Sequence, residues 1–203
     1  DDPTLVRENH KKMAVAADHL PSLINDVLQM SKLDDGKAVL THEFISLIDL
    51  TQDIVSIIIG RTVEAGVEWD YEKSKAVIPY PYIYGSPVHL RQIFLNIYGN
   101  CIKYNRPGGF VKLLLAGDEK DCLLTVSDNG IGIPEGDMPR IFDRFYRVDK
   151  MRSRAAGGTG LGLSIAADTA RRRGGSIEVR AREGGGTVFT VRLPRCEEGG
   201  DET

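Results

Sequence analysis

Apolar positions along this chain recur with a period that switches between helical and extended, and the switches mark its elements. Met13, Ala17, Leu20, Ile24, Val27 and Ser31 alternate four and three residues apart. That heptad seam predicts one long coiled-coil-like helix over residues 1–36 that needs partner helices, because so narrow a stripe cannot bury itself alone. Gly36 supplies the stop. Pro21 removes one helical hydrogen bond and crowds the Ala17 carbonyl, so the helix either kinks there or is ordered only from about Leu20. Weak alternation over 38–46 predicts a strand, and 47–65 a helix ending before Gly66. Residues 67–71 form a short strand; 78–84, carrying Pro79 and Pro81, can only be an edge or short strand. Ser86 caps a helix with Pro87 at its first position, running to about Tyr104 and broken by Asn105-Arg106-Pro107-Gly108-Gly109.

Beyond that break, 110–116 and 122–127 read as an antiparallel pair. A short helix follows near 138–142, then a basic, glycine-rich loop over 147–158. Residues 161–173 form a helix closed by Gly174-Gly175. Strands 176–182 and 187–193 make a final hairpin across Gly184-Gly185-Gly186, and the tail from 197 is expected to be disordered. Strands grouped with helices between and after them predict an α+β fold of two layers, a sheet on one side and helices on the other.

Composition narrows the function classes. A chain of 203 residues with 41% hydrophobic residues can bury one good core. A net charge of −3 gives no reason to expect nucleic acid or an anionic membrane as partner. The run Arg171-Arg172-Arg173, at a helix end beside Gly174, is charge placed favourably against the helix dipole. The longest apolar run, Ile57-Ile58-Ile59, cannot span a bilayer, and the acidic amino terminus is not that of a signal peptide. Cys101, Cys122 and Cys196 lack metal-ligand spacing and are expected to be reduced thiols in a cytoplasmic protein.

Three stretches carry chemistry. In the helix from His89 to Asn105, Asn96, Asn100 and Lys103 lie four and three apart and so share a face. An interior asparagine is a poor helix former, and two on one stripe ask for a reason. An amide oxygen is a hard neutral ligand suited to Mg²⁺, Lys103 a mobile charge for phosphates, and Tyr104 a surface for a base. The competing reading is a solvated polar face. The second stretch is Asp128-Asn129-Gly130-Ile131-Gly132-Ile133-Pro134, a bend after an apolar strand. Its glycines let the backbone approach a ligand, and an ionised carboxylate in an apolar pocket suits the exocyclic amine of adenine and refuses guanine, whose O6 is an acceptor. Taken alone it is most simply a hairpin turn. The third is Gly157-Gly158-Thr159-Gly160-Leu161-Gly162, glycines opening directly into a helix whose free N–H groups make a phosphate site. It matches neither a Walker loop nor a dinucleotide fingerprint.

Together and in this order the three stretches resemble the N box and the two glycine boxes of the catalytic, ATP-binding domain of sensor histidine kinases of two-component systems, a family shared with gyrase-type ATPases. Ile141-Phe142-Asp143-Arg144-Phe145-Tyr146-Arg147 is similar to that family's F box, and the resemblance covers about 38–194. Residues 19–32 resemble the second helix of the dimerisation domain. The resemblance implies a division into 1–37, part of that dimerisation domain, a catalytic domain over 38–196 and a tail over 197–203. It implies that Asn100 holds Mg²⁺ with Asn96 in support, that Lys103 and Arg147 face phosphates, and that Tyr104 and Asp128 hold adenine, aided by Gly130, Gly132 and Ile133. Gly158, Thr159, Gly160, Leu161 and Gly162 would form the hinge and phosphate end of a lid, with Phe142 and Phe145 anchoring its near side. Residues 150–156 have little to pack and would be poorly ordered without nucleotide. The implied ligands are ATP and Mg²⁺. The implied partners are a response-regulator receiver domain and, through the first helix, a second copy.

The match has departures. Autophosphorylation needs a histidine followed by an acid on the first dimerisation helix. Thr41-His42-Glu43-Phe44 imitates that box, but His42 follows the helix that resembles the second and is expected to be a strand residue. His10, His19 and His89 do not qualify either, so the phosphoacceptor helix is expected to lie outside this chain, and the chain alone should not autophosphorylate. Cys101 stands where the family usually has alanine. A hydrolase or protein-serine kinase of the same fold would carry glutamate at the place of Asn96, which cannot serve as a base; a nucleotide-binding module without turnover is the third reading.

Overall fold

A computed structural model describes residues 42–70, 75–76, 82–148 and 159–196, together with six isolated positions, Val6, His10, Met13, Ala17, Ile24 and Leu28. Those six are helical and exposed, so the seam positions Met13, Ala17 and Ile24 lie in helix and are uncovered among the described residues. The rest of the expected first helix with Pro21 and Gly36, the loop 149–158 and the tail from 197 lie outside them.

The chain runs β1 (Glu43–Ser46), α1 (Leu47–Glu64), β2 (Glu68–Trp69), β3 (Lys75–Ala76), β4 (Tyr82–Gly85), α2 (Pro87–Lys103), β5 (Phe110–Gly117), β6 (Asp121–Asp128), a 3₁₀ turn (Met138–Arg140), α3 (Gly162–Arg172), β7 (Ser176–Ala181) and β8 (Thr187–Pro194). The main sheet has the order β2-β5-β6-β8-β7, with β2 and β3 both parallel to β5 and the remaining pairs antiparallel. β1 and β4 form a separate antiparallel pair in which Phe44 faces Tyr84, ring centroids 5.1 Å apart. β2 is thus shorter than the alternation suggests, β4 runs on to Gly85, one residue past its expected end, and β3 stands where the alternation gives no strand. His42 falls one residue before β1, exposed, with Nε2 2.6 Å from an Arg173 nitrogen, rather than inside the strand.

Pleating explains the two layers. Cys122, Leu124 and Val126 of β6 are buried and alternate with half-buried neighbours. Leu113 and Phe189 flank Val126 in register, and Leu115 and Val191 flank Leu124. These rows meet the apolar stripes of the helices: Leu50, Ile54 and Ile58 of α1, Leu90, Ile93, Phe94 and Ile97 of α2, and Ala166 and Ala170 of α3. Each fully buried Leu or Ile contributes about 1.5–3 kcal/mol to keeping the layers together. Asp128 closes β6 at an inward position opposite Val111, so the apolar row ends in a carboxylate.

The helix ends follow from local chemistry. The Ser46 hydroxyl oxygen accepts the Asp49 N–H at 3.3 Å and caps α1. Ser46→Ala should lower stability by about 1 kcal/mol, read as an earlier urea midpoint at unchanged slope. Ser86 occupies the cap position of α2 without a side-chain cap bond, so there Pro87, preset for the first turn, is the feature that matches expectation. α3 ends with Gly174 at φ 71°, its N–H donating to Arg171 O and the Gly175 N–H to Ala170 O, each at 3.0 Å. This paired closure needs a left-handed residue, which glycine provides.

Candidate functional site

One cleft of about 750 Å³ opens between α2, the bend after β6 and the start of α3. Asn96, Asn100, Lys103, Tyr104, Asp128, Gly132, Ile133, Arg147, Thr159, Gly160 and Gly162 all line it. These predicted residues, up to 66 positions apart (Asn96 to Gly162, 162 − 96), are therefore brought to one concavity of the size small-ligand sites have.

Asp128 is 4% exposed, at the floor. Its Oδ1 accepts the Gly130 N–H at 2.8 Å and the Thr187 N–H at 3.3 Å. Burial pushes its pKa up, while the two N–H donors, the nearby Cys101 thiol and the Arg182 charge pull the other way; the net displacement is upward. Burial and the neighbouring carboxylate push the Cys101 thiol up as well, so it remains a protonated donor. Gly130 is buried behind the acid rather than in the cleft wall. A Cβ there would strike the Tyr104 carbonyl oxygen and lie 2.9 Å from Asn105 Cα, so the turn closes only around glycine. Gly132, at φ 72°, needs glycine for its backbone alone.

On α2 the Asn100 amide nitrogen donates to the Asn96 carbonyl at 3.0 Å, which leaves its Oδ1 as the atom offered to the cleft. The Asn96 amide nitrogen is buried without a partner among the described residues. Lys103 is half-buried and its pKa is lowered, first by burial and then by the Arg147 charge. Arg147 in turn has Nε and one terminal nitrogen buried without a partner among the described residues. Two cations held near one another, Arg147 with donors unspent among the described residues, form a place where an anion relieves both repulsion and desolvation.

The stretches on either side of residues 149–158 are fastened together. Phe145 adopts φ 64°, its N–H donating to Gly160 O at 3.0 Å. A Cβ on Gly160, itself at φ 78°, would lie 2.9 Å from the Phe145 carbonyl carbon. Phe145 is held there through its backbone, and the residue is 61% exposed. Phe142 packs on the core instead of lining the cleft. Leu161, fully buried, pairs with Ile165 beneath the cleft rather than lining it. Gly162 sits against the Asn96 side chain, 3.1 Å from where a Cβ would be to its Oδ1. Gly158 lies outside the described residues.

Several residues shape the site without a pattern of their own. Gly186, at φ 97°, brings the β7–β8 turn so close that a Cβ would strike the Asp128 carbonyl oxygen and lie 2.7 Å from Asn129 Cα. Thr187 and Phe189 line the cleft from β8. Asn105 donates to Cys101 O and Phe110 O, each at 3.1 Å, and Asn129 Oδ1 accepts the Phe110 N–H at 2.6 Å. Only the three consecutive glycines at 184–186 hint at a close approach in the sequence, and nothing there says to what.

Comparison with known proteins places this geometry. The family model described as "Histidine kinase-, DNA gyrase B-, and HSP90-like ATPase" matches residues 85–197. The chain is 39% identical over 185 residues to the sensor histidine kinase WalK of Bacillus subtilis, covering 89% of this chain and 29% of that protein. It is 34% identical to the sensor histidine kinase RppB of Synechocystis, covering 86% of this chain and 38% of that protein. The crystal structure of full-length ShkA in complex with AMPPNP superimposes with a TM-score of 0.77 at 27% identity, over 95% of this chain and 40% of that one. The chain thus spans well under half the length of these relatives.

Proposed function

The chain belongs to the family of histidine kinase-, DNA gyrase B- and HSP90-like ATPases, and from that premise we propose that it is the ATP-binding catalytic part of a sensor histidine kinase. In this reading the γ-phosphoryl of ATP passes to a histidine supplied from outside the matched region, and onward to an aspartate of a response-regulator receiver domain. Residues 38–196 form the catalytic domain, residues 1–37 join two copies through the first helix, and 197–203 are a tail. The observation that carries the reading is a buried acid and a pair of partly buried cations at one cleft, spaced by an asparagine-bearing helix.

Adenine is held at Asp128, whose carboxylate accepts the exocyclic amine, with Tyr104, Gly132 and Ile133 beside it. The triphosphate then runs toward Lys103 and Arg147, which take up its charge, and toward the backbone of Thr159, Gly160 and Gly162 at the start of α3. The Asn100 amide oxygen fits a cation whose remaining ligands are phosphate oxygens and water, the mode Mg²⁺ prefers. Bound there, Mg²⁺ neutralises charge on the transferring phosphoryl group. Asn96 supports Asn100 through its carbonyl and has an unspent amide of its own. Phosphoryl transfer needs mainly positioning and charge neutralisation, which these groups supply without a general base at Asn96. The nucleotide in the ShkA structure supports ATP as the ligand. Among the described residues no helix is long and apolar enough to cross a membrane, and the catalytic part is proposed to work in the cytoplasm.

The test is calorimetric titration of the chain with a non-hydrolysable ATP analogue, with and without Mg²⁺. The parent should bind at least roughly tenfold more tightly with the metal, and Asn100→Ala should erase most of that difference while keeping metal-free binding. Metal-dependent affinity that survives in Asn100→Ala would remove that residue from the metal site.

A further inference from the structure

Arg144, Phe145, Tyr146 and Arg147 follow one another past the 3₁₀ turn, and the first three are fastened. A terminal nitrogen of Arg144 lies 3.2 Å from Asp168 Oδ2 on α3. Phe145 gives its backbone N–H to Gly160 O at 3.0 Å. The Tyr146 hydroxyl donates to Asp137 Oδ1, and the Arg140 guanidinium lies over its ring, 4.2 Å from the centroid. Arg147 differs: its side chain has Nε and one terminal nitrogen buried without a partner among the described residues, and it borders the cleft.

Nothing among those contacts holds the Arg147 guanidinium directly. Lys103 borders the same cleft, so in the nucleotide-free chain one cation repels the other. The placement of Arg147 must then come from the backbone that carries it, and Tyr146 is the residue immediately before. Its clasp is firm at the far end. The Asp137 N–H donates to Pro134 O at 2.9 Å, and the Asp137 carbonyl accepts the Arg140 N–H at 2.9 Å. Tyr146 therefore ties the stretch that presents Arg147 to the turn that follows the bend after β6. The Tyr146 carbonyl oxygen lies 3.1 Å from where a Cβ on Gly160 would be, so the backbone is confined on that side as well. A hydrogen bond to an ionised carboxylate is about twice as strong as a neutral one, which suits it to this task.

We propose that Tyr146 is a positioning residue for Arg147: held by Asp137 and Arg140, it keeps that guanidinium in the cleft against the repulsion of Lys103, where the phosphates of the nucleotide meet it. The proposal rests on the reading of Arg147 as a phosphate-facing residue made above. Phenylalanine at 146 keeps the ring and gives up only the hydroxyl. Arg147 is then free to leave the cleft for part of the time, and a ligand feels the loss only if it carries phosphates.

Titration of the 203-residue chain with ATP and with adenosine at one fixed Mg²⁺ concentration, followed by NMR so that weak binding is also read, separates the outcomes. Tyr146→Phe should weaken ATP roughly three- to tenfold and leave adenosine within about twofold. Asp137→Ala should do the same, because it removes the same bond from its other end. In an Arg147→Ala background, Tyr146→Phe should change ATP affinity by less than about twofold, since the group it positions is gone. Adenosine binding certifies that each variant keeps its cleft. If Arg147→Ala leaves the ratio of ATP to adenosine affinity as in the parent, Arg147 does not face phosphates, and that assignment falls together with the proposal. If Arg147→Ala lowers the ratio, three results overturn the role of Tyr146 alone: Tyr146→Phe leaves the ratio unchanged, weakens both ligands equally, or weakens ATP by the same factor in both backgrounds.

Discussion

Asp128→Asn should lower affinity for ATP at least about a hundredfold, while the nucleotide-free chain melts no lower than the parent. The two halves of this result have one cause. The carboxylate sits at the inward end of an apolar strand row, 4% exposed, and burial raises its pKa despite the donors around it. The folded state therefore binds this proton more tightly than the unfolded chain does, and the ionised acid costs stability at neutral pH. Its contribution worsens as pH rises through the raised range and is relieved as pH falls. Asparagine removes that charge and keeps an oxygen for the Gly130 and Thr187 N–H groups. That arrangement turns the amide nitrogen toward the cleft, where it faces the adenine amine donor to donor. ATP binding by the parent should weaken on acidification over the same pH range in which its nucleotide-free stability improves. Thermal melts and titrations at stepped pH check both signs; a variant that binds ATP like the parent would show that the acid is structural.

Gly186→Ala is expected to cost roughly 2–4 kcal/mol, seen as a fall in melting temperature of about 10 °C, together with loss of nucleotide binding. The new methyl group meets the Asp128 carbonyl oxygen and lies 2.7 Å from Asn129 Cα, and both are backbone at the bend after β6. The positive φ of 97° adds strain that an L side chain does not tolerate well. Gly185→Ala is the control: its φ is 95°, yet nothing lies within 4 Å of the added Cβ. It should lose only about 1 kcal/mol and bind normally. Equal losses in the two variants would mean that turn strain, not contact with the bend, sets the effect.

Much of the site was legible because its signals are local. Two asparagines and a lysine on one helical face, an acid before spaced glycines, and glycines running into a helix each state a local requirement of the backbone or of a ligand. The structure gathers those stretches at one cleft. The helices α1, α2 and α3 and the pairs β5–β6 and β7–β8 likewise stand where periodicity puts them. The expectation was less good at the short early strands, where two or four residues give too little alternation to fix an end.

The sequence by itself determined the fold class, the family resemblance and the identity of about half of the cleft residues, since these depend on spacings within a helix turn, a strand pleat or a bend. Only the tertiary structure decided what surrounds Asp128. Its register against Val111 and the approach of Gly186 and Thr187 from a hairpin about 60 residues on (187 − 128 = 59) are contacts between distant segments. Such contacts are set by how whole layers pack, and no periodicity within either segment encodes the partner that the other will bring.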